Sequence, residues 1–228
     1  MTEKRTTGEL LRRYAFLCVS LLIMAFGVAF SIKASLGTSP ISSVPNVISM
    51  FTPLTVGNVT IIMHCVFIAL QILLLRRRYQ LVQLMQLPVA IVFGYLTDFA
   101  VWAIQGIQYT SYWQQWLLCA VGIVLVAVGV SCEVTAGVVV LAGEGLSLAI
   151  CQVFPKLKFG NVKMGFDITL VVIACVLSFL FLGRLAGVRE GTVAAAILVG
   201  QLVKVINRSL VPFDRRVLSG GKTGSNAV

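Results

Sequence analysis

The sequence predicts an all-α integral membrane protein: six transmembrane helices arranged as two inverted three-helix repeats, each carrying a short re-entrant or interfacial half-helix. Three observations predict it. Of 228 residues, 58% are hydrophobic and only 11% charged, with a mean hydropathy of +0.98, whereas a soluble domain carries about a quarter charged residues. The apolar residues fall in blocks of about twenty, the length that crosses a hydrocarbon layer roughly 30 Å thick. Finally, the order of elements in the first half recurs in the second. Continuous apolar runs such as 17–30 and 121–130 lack the alternation of a transmembrane β-strand, which excludes a barrel.

The first block, 13–34, follows Lys4, Arg5, Arg12 and Arg13. These resemble a signal-peptide n-region, but the block is too long and lacks a small-x-small cleavage site, so it is the first span. Further spans are expected at 58–75, 81–104, 113–133, 162–182 and 191–210. Segments 39–51 and 140–154 are apolar, too short to cross, and preceded by Gly or Pro punctuation, as half-helices would be. The domain plan is a cytoplasmic segment 1–12, repeats at 13–108 and 109–210, and a flexible cytoplasmic tail 211–228.

Loop charges orient the chain. With both termini cytoplasmic, the inner side holds Lys4, Arg5, Arg12, Arg13, Arg76, Arg77, Arg78, Lys156, Lys158, Arg208, Arg215, Arg216 and Lys222, against Lys33, Arg184 and Arg189 outside. Letting the two short segments cross would move Arg76, Arg77 and Arg78 outside, which rejects eight spans. The net charge of +10 is therefore topological. Without aromatic interleaving or a basic face it does not indicate nucleic acid.

Gly57-Asn58-Val59, opening the second span, recurs as Gly160-Asn161-Val162, opening the fifth. Around them recur a helix ending in Gly-Val (Gly27-Val28, Gly129-Val130), a broken short segment, an Arg-containing turn and a helix with a central Gly (Gly94, Gly200). A unit of three crossings forces the next unit into the opposite orientation. Asn58 and Asn161 are expected as N-caps or turn residues.

The stretch Ala34-Ser35-Leu36-Gly37-Thr38-Ser39-Pro40, the following Gly57-Asn58 and the paired second half resemble the YczE-like (YczE/YyaS/YitT) family of bacterial inner-membrane proteins over roughly residues 10–210. The resemblance implies a multi-pass protein of the bacterial inner (plasma) membrane and no particular biochemical activity. Aquaporins share the inverted architecture, but this chain lacks their paired Asn-Pro-Ala motifs.

Ionisable residues inside spans are expensive and therefore candidates for function. His64 and Asp167 each lie seven residues after a repeated Gly and are expected to couple protons or hold a gate, against packing and capping as the bland alternative. Glu144, flanked by Gly143 and Gly145, is the foremost acidic candidate for solute contact, because glycines let backbone approach a solute. Its counterpart, Gly37, Thr38, Ser39 and Pro40, offers hydroxyls and a helix start able to bind an anion or polar solute. Asp98 and Lys204 occupy matched places with opposite charge and either pair or stay apart, Lys204 snorkelling. Glu133, ending the fourth span, either lines the same vestibule or is solvated. The six cysteines are scattered without a C-x-x-C pair, so neither metal nor cofactor is expected, and no nucleophile is paired with His64, so no enzyme is expected. The leading expectation is a permease or channel for a small polar solute. Its rivals are a non-transporting scaffold or accessory protein and a membrane-embedded solute-binding subunit of a larger transporter. Expected partners are lipid, the solute, and either a second copy packed on the small-residue face at Ala196 and Gly200 or another membrane protein.

Overall fold

A computed structural model of the chain describes residues 6–213. Lys4, Arg5, Arg215, Arg216, Lys222 and the tail beyond 213 lie outside the described residues. Eight α-helices follow in order: α1 (Thr7–Ala34), α2 (Pro40–Phe51), α3 (Val56–Leu75), α4 (Gln86–Ala103), α5 (Tyr112–Ala136), α6 (Ala142–Val153), α7 (Phe159–Leu182) and α8 (Glu190–Phe213). Among the described residues α1, α3, α4, α5, α7 and α8 are long and apolar enough to cross a membrane. At 12 residues each, α2 and α6 extend about 18 Å and cannot.

Three details refine the expected boundaries. Thr6 caps α1, its hydroxyl accepting from the Glu9 N–H, so the first helix starts six residues before the expected span. The third span covers Leu81–Ala103, as expected at 81–104, but opens with a 3-10 turn. Leu81–Met85 is a 3-10 turn and α4 starts at Gln86, because Pro88 is tolerated in a first helical turn and disrupts a helix interior. Asn58 and Asn161 are not N-caps. Thr55 caps α3, accepting from the Asn58 N–H at 3.1 Å, and Lys158 stands at the α7 cap without a side-chain bond.

Within lipid, helices gain little from excluding water, so close backbone contact through small residues holds them together. The α1–α5 pair is built this way. A Cβ on Gly27 would meet Val126 N at 2.6 Å, one on Gly129 would meet Met24 Cβ at 2.6 Å, and one on Gly122 would meet Ser31 N at 2.9 Å. Position rises along α1 as it falls along α5, so the two helices are antiparallel. Around them α4 packs on α1 and α8 on α5, while α2 packs on α7 and α6 on α3. Leu17, Leu21, Met24, Phe93 and Val126 fill the first cluster, and Val44, Val47, Phe67, Leu146 and Leu170 the second.

One pair of helices is joined and another is not. Gly57 and Gly94 bring α3 and α4 into backbone contact, and Asp98 of α4 accepts from Gly57 N–H at 2.7 Å and Thr55 Oγ1 at 2.6 Å. By contrast, among the described residues α7 and α8 are at most loosely in contact, and a Cβ at Gly160, Gly165 or Gly200 would meet open space. The most apolar windows of α7 and α8 are only 17% and 6% buried, against 39–50% for the other four long helices.

Candidate functional site

A polar cluster forms where the first turn of α6 meets α3, α4, α5 and α7. The last turn of α5 supplies Glu133, which is wholly buried. Its Oε1 accepts the Leu141 N–H at 2.6 Å. Of the two expectations for Glu133, this excludes the solvated helix end: Leu141 has no side-chain acceptor of its own, so Glu133 reaches across the turn and serves as the anionic cap that the positive end of α6 favours. Gly137 makes the reach feasible by ending α5 in the left-handed region at φ +59°.

Glu144 sits in the first turn of α6, half-buried, with Oε2 shielded and unpartnered among the described residues. It lies within electrostatic range of Lys163 and Asp167, and Glu133 within range of Glu144 and Lys163. Lys163 and Asp167 are one turn apart on α7 and pair at 2.7 Å, each about a quarter exposed. Gly145 leaves room for two buried amides. Gln71 Nε2 of α3 donates to Gln86 Oε1 of α4 at 3.0 Å and to the Ala142 carbonyl at 3.1 Å, and a Cβ on Gly145 would strike Gln86 Nε2 at 2.6 Å. A cavity of about 160 Å³ borders the cluster, lined by Gln80, Gln83, Gln86, Val139, Gly145 and Gln152 among others.

The two glycine-containing segments meet in part. Ile41 of α2 packs directly on Gly143 of α6, with Phe166 of α7 beside it. Residues 37–40 are otherwise held by α8: Gly37, at φ +95°, lies against Arg189 and Thr192, and the Gly191 N–H donates to the Leu36 carbonyl at 2.8 Å. Ser39 Oγ donates to Ser42 Oγ at 3.1 Å, and the hydroxyl of Thr38 is buried and unpartnered among the described residues. Pro40 opens α2, so this helix start has one N–H fewer to offer than α6.

His64 and Asp167 are not brought into contact. The His64 ring stands edge-on to Phe67 and Phe93, with ring centroids 6.0 and 6.3 Å away, and Phe67 in turn meets Phe166. Asp98 and Lys204 do not pair either. Asp98 is committed to the start of α3, and Lys204, expected as a buried charge, is exposed on α8. Sequence reasoning passed over Gln71, Gln86 and Lys163. The signal was present: a Gln amid leucines and isoleucines, and a Lys one turn before Asp167, obey the same rule that singled out the acids. Arg13, counted only as a topology marker, is buried and donates to the Ala136 carbonyl at the end of α5 at 3.0 Å.

Six long apolar helices around two short ones, with charged and amide side chains shut inside, define a multi-pass helical membrane protein. Comparison with known families narrows this: the chain belongs to a family of unknown function, DUF6198, whose family model matches residues 11–208. Nothing in that match links the chain by name to the YczE-like proteins. No curated protein and no solved structure matches it.

Proposed function

We propose that the protein is a permease or channel for a small polar solute in the bacterial inner membrane, with both termini cytoplasmic. In this reading α1–α4 and α5–α8 are inverted repeats, and α2 and α6 are re-entrant half-helices whose first turns meet at the solute site. The observation that carries it is the gathering of buried Glu133, Gln71 and Gln86 with partly buried Glu144, Lys163 and Asp167 around the first turn of α6. Membrane interiors penalise such groups, and they persist where they serve a pathway.

The internal geometry supports the repeat. If Gly27 corresponds to Gly129, then Met24 corresponds to Val126 and Ile41 to Gly143. The close approach of Gly27 to Val126 and of Gly129 to Met24 exchange under this correspondence, and Ile41 touches its own counterpart. Ser39 and Leu141, also counterparts, cap the half-helices at φ −58°, ψ 152° and φ −59°, ψ 151°. Helix partners exchange likewise, α4 on α1 for α8 on α5 and α2 on α7 for α6 on α3. The exception has a chemical cause. Where Asp98 binds the start of α3, its counterpart once Gly94 is aligned with Gly200 is Lys204, which has no oxygen to accept from the start of α7. One repeat is thereby closed and the other splayed, the asymmetry that alternating access between two repeats requires.

Solute would contact residues 37–40 and 143–145, with Glu144 supplying charge recognition. Asp167, through Lys163, couples protons, and His64 acts as a gate with Phe67 and Phe93, whose rings it meets edge-on. A specific observation keeps the accessory-protein and binding-subunit readings in play: the exposed faces of α7 and α8, including Ala196 and Gly200, suit a partner or a second copy. Thermal unfolding of the detergent-purified protein against amino acids, organic anions, thiols, sugars and simple ions at two pH values tests the proposal, since a ligand that binds the folded state stabilises it. A saturable shift lost in Glu144→Gln supports a solute site. No shift with any class, together with a stoichiometric co-purifying protein, would replace transport by the accessory reading.

A further inference from the structure

The Glu133–Glu144 pair leads further. Glu133 Oε1 is taken by Leu141 N–H, but Glu133 Oε2 and Glu144 Oε2 are both buried without a hydrogen-bond donor among the described residues. A carboxylate oxygen shielded from water and left without a donor is costly, and the cost is recovered when a positive group binds there. The charge inventory around the pair does not supply one. Lys163 of α7 is engaged by Asp167 at 2.7 Å, so three carboxylates stand against one ammonium. Arg13 of α1 reaches the same end of α5 but bonds Glu9 and the carbonyls of Thr135 and Ala136. His64 of α3 faces aromatic rings, α4 offers the Gln86 amide, α2 has no ionisable residue, and Lys204 of α8 is exposed.

We infer that Glu133 and Glu144 together bind one small monovalent cation, an alkali-metal ion or a primary ammonium group. An anion is disfavoured although a helix N-terminus ordinarily attracts one, because the positive end of α6 is already met by Glu133 and by Glu144 in its first turn. A multivalent metal is disfavoured because no group of three or more His, Cys, Asp or Glu suited to a metal ion occurs among the described residues. A single weakly hydrated charge matches two carboxylate oxygens supplemented by carbonyls and amides. The inference rests on the solute-site reading above and names its substrate class.

The test uses the full-length protein in detergent. Thermal unfolding is followed while sodium, potassium, rubidium or methylammonium chloride replaces N-methylglucamine chloride at constant ionic strength. The expected result is a saturable stabilisation by one of these cations, with the metal and methylammonium arms separating the two sources. Half-saturation should move at least about ten-fold in Glu133→Gln and in Glu144→Gln, as loss of one of two ligand charges predicts. The amide introduced by Glu133→Gln retains a carbonyl oxygen for Leu141 N–H. Asp98→Asn, which alters a carboxylate at the start of α3, should keep the wild-type response. Wild-type protein provides a readout independent of folding in the variants: protons compete for the same carboxylates, so half-saturation should rise as pH falls. Stabilisation by no cation, a response that both Gln variants share with wild type, or half-saturation independent of pH would overturn the inference. Saturable stabilisation by an anion or neutral solute with none by cations would overturn it while leaving the solute site standing. Failure of every solute class would remove both.

Discussion

Removing the Asp98 carboxylate should unfasten α3 from α4, and the structure sets the size of the effect. Asp98 accepts two hydrogen bonds, from Gly57 N–H at 2.7 Å and from Thr55 Oγ1 at 2.6 Å. Bonds to a charged group contribute about 1.5–3 kcal/mol each when well shielded. Thr55 is exposed and its hydroxyl rehydrates once released, so its bond falls below that range. Gly57 N–H, in the first helical turn, has no acceptor within its own helix; pressed against the α4 backbone at Gly94, it rehydrates poorly once Asp98 is removed. Asp98→Ala should therefore cost about 2–4 kcal/mol, and Asp98→Asn, which keeps one acceptor but loses the charge favoured at a helix start, about 1–2 kcal/mol. Reversible unfolding in mixed micelles titrated with dodecyl sulfate measures both. A double-mutant cycle with Thr55→Ala separates the two bonds, since Thr55 also accepts from Asn58 N–H. Stability of Asp98→Ala within about 0.5 kcal/mol of wild type, the range of an ordinary surface change, would refute the claim that this carboxylate joins the helices.

Further expectations follow from the packing and the charges. Gly122→Leu places a side chain against Ser31 and the Gly27 carbonyl, where backbone rather than a flexible side chain must give way. It should cost about 3 kcal/mol or more, and unfolding equal to wild type would contradict the close α1–α5 crossing. Lys204→Asp restores, in the second half, the acceptor that Asp98 provides in the first. Spin labels on Asn161 and Arg208 in a cysteine-free background should then show α7 and α8 closer together, and an unchanged distance distribution would count against the repeat. Asp167→Asn leaves Lys163 without its partner and should abolish pH-dependent uptake into proteoliposomes while the protein still folds. Persisting pH dependence would remove Asp167 from proton coupling.

The sequence alone determined what depends on composition and local pattern. Hydropathy fixed which six segments are long and apolar enough to cross, because a span needs about twenty apolar residues whatever its neighbours. The segments too short to span emerged from the same arithmetic, within two residues of α2 and α6, and four of the repeated glycines, Gly27, Gly57, Gly94 and Gly129, marked places where backbones approach, while Gly160 and Gly200 did not. Tertiary structure decided everything that depends on which helices meet. Asp98 and Glu133 resemble other acids near helix ends, yet one ties α3 to α4 and the other caps α6 across the turn that separates them. Each accepts a backbone N–H, which leaves no trace in a side-chain pattern. His64 and Asp167 each lie seven residues after a repeated Gly, but matching sequence position does not bring side chains together: one stands against aromatic rings and the other holds Lys163. The sequence places an aspartate near the end of α4 and a lysine on α8. What the aspartate does is visible only where the Gly57 N–H and the Thr55 hydroxyl lie beside it, because both donors stand at the start of another helix.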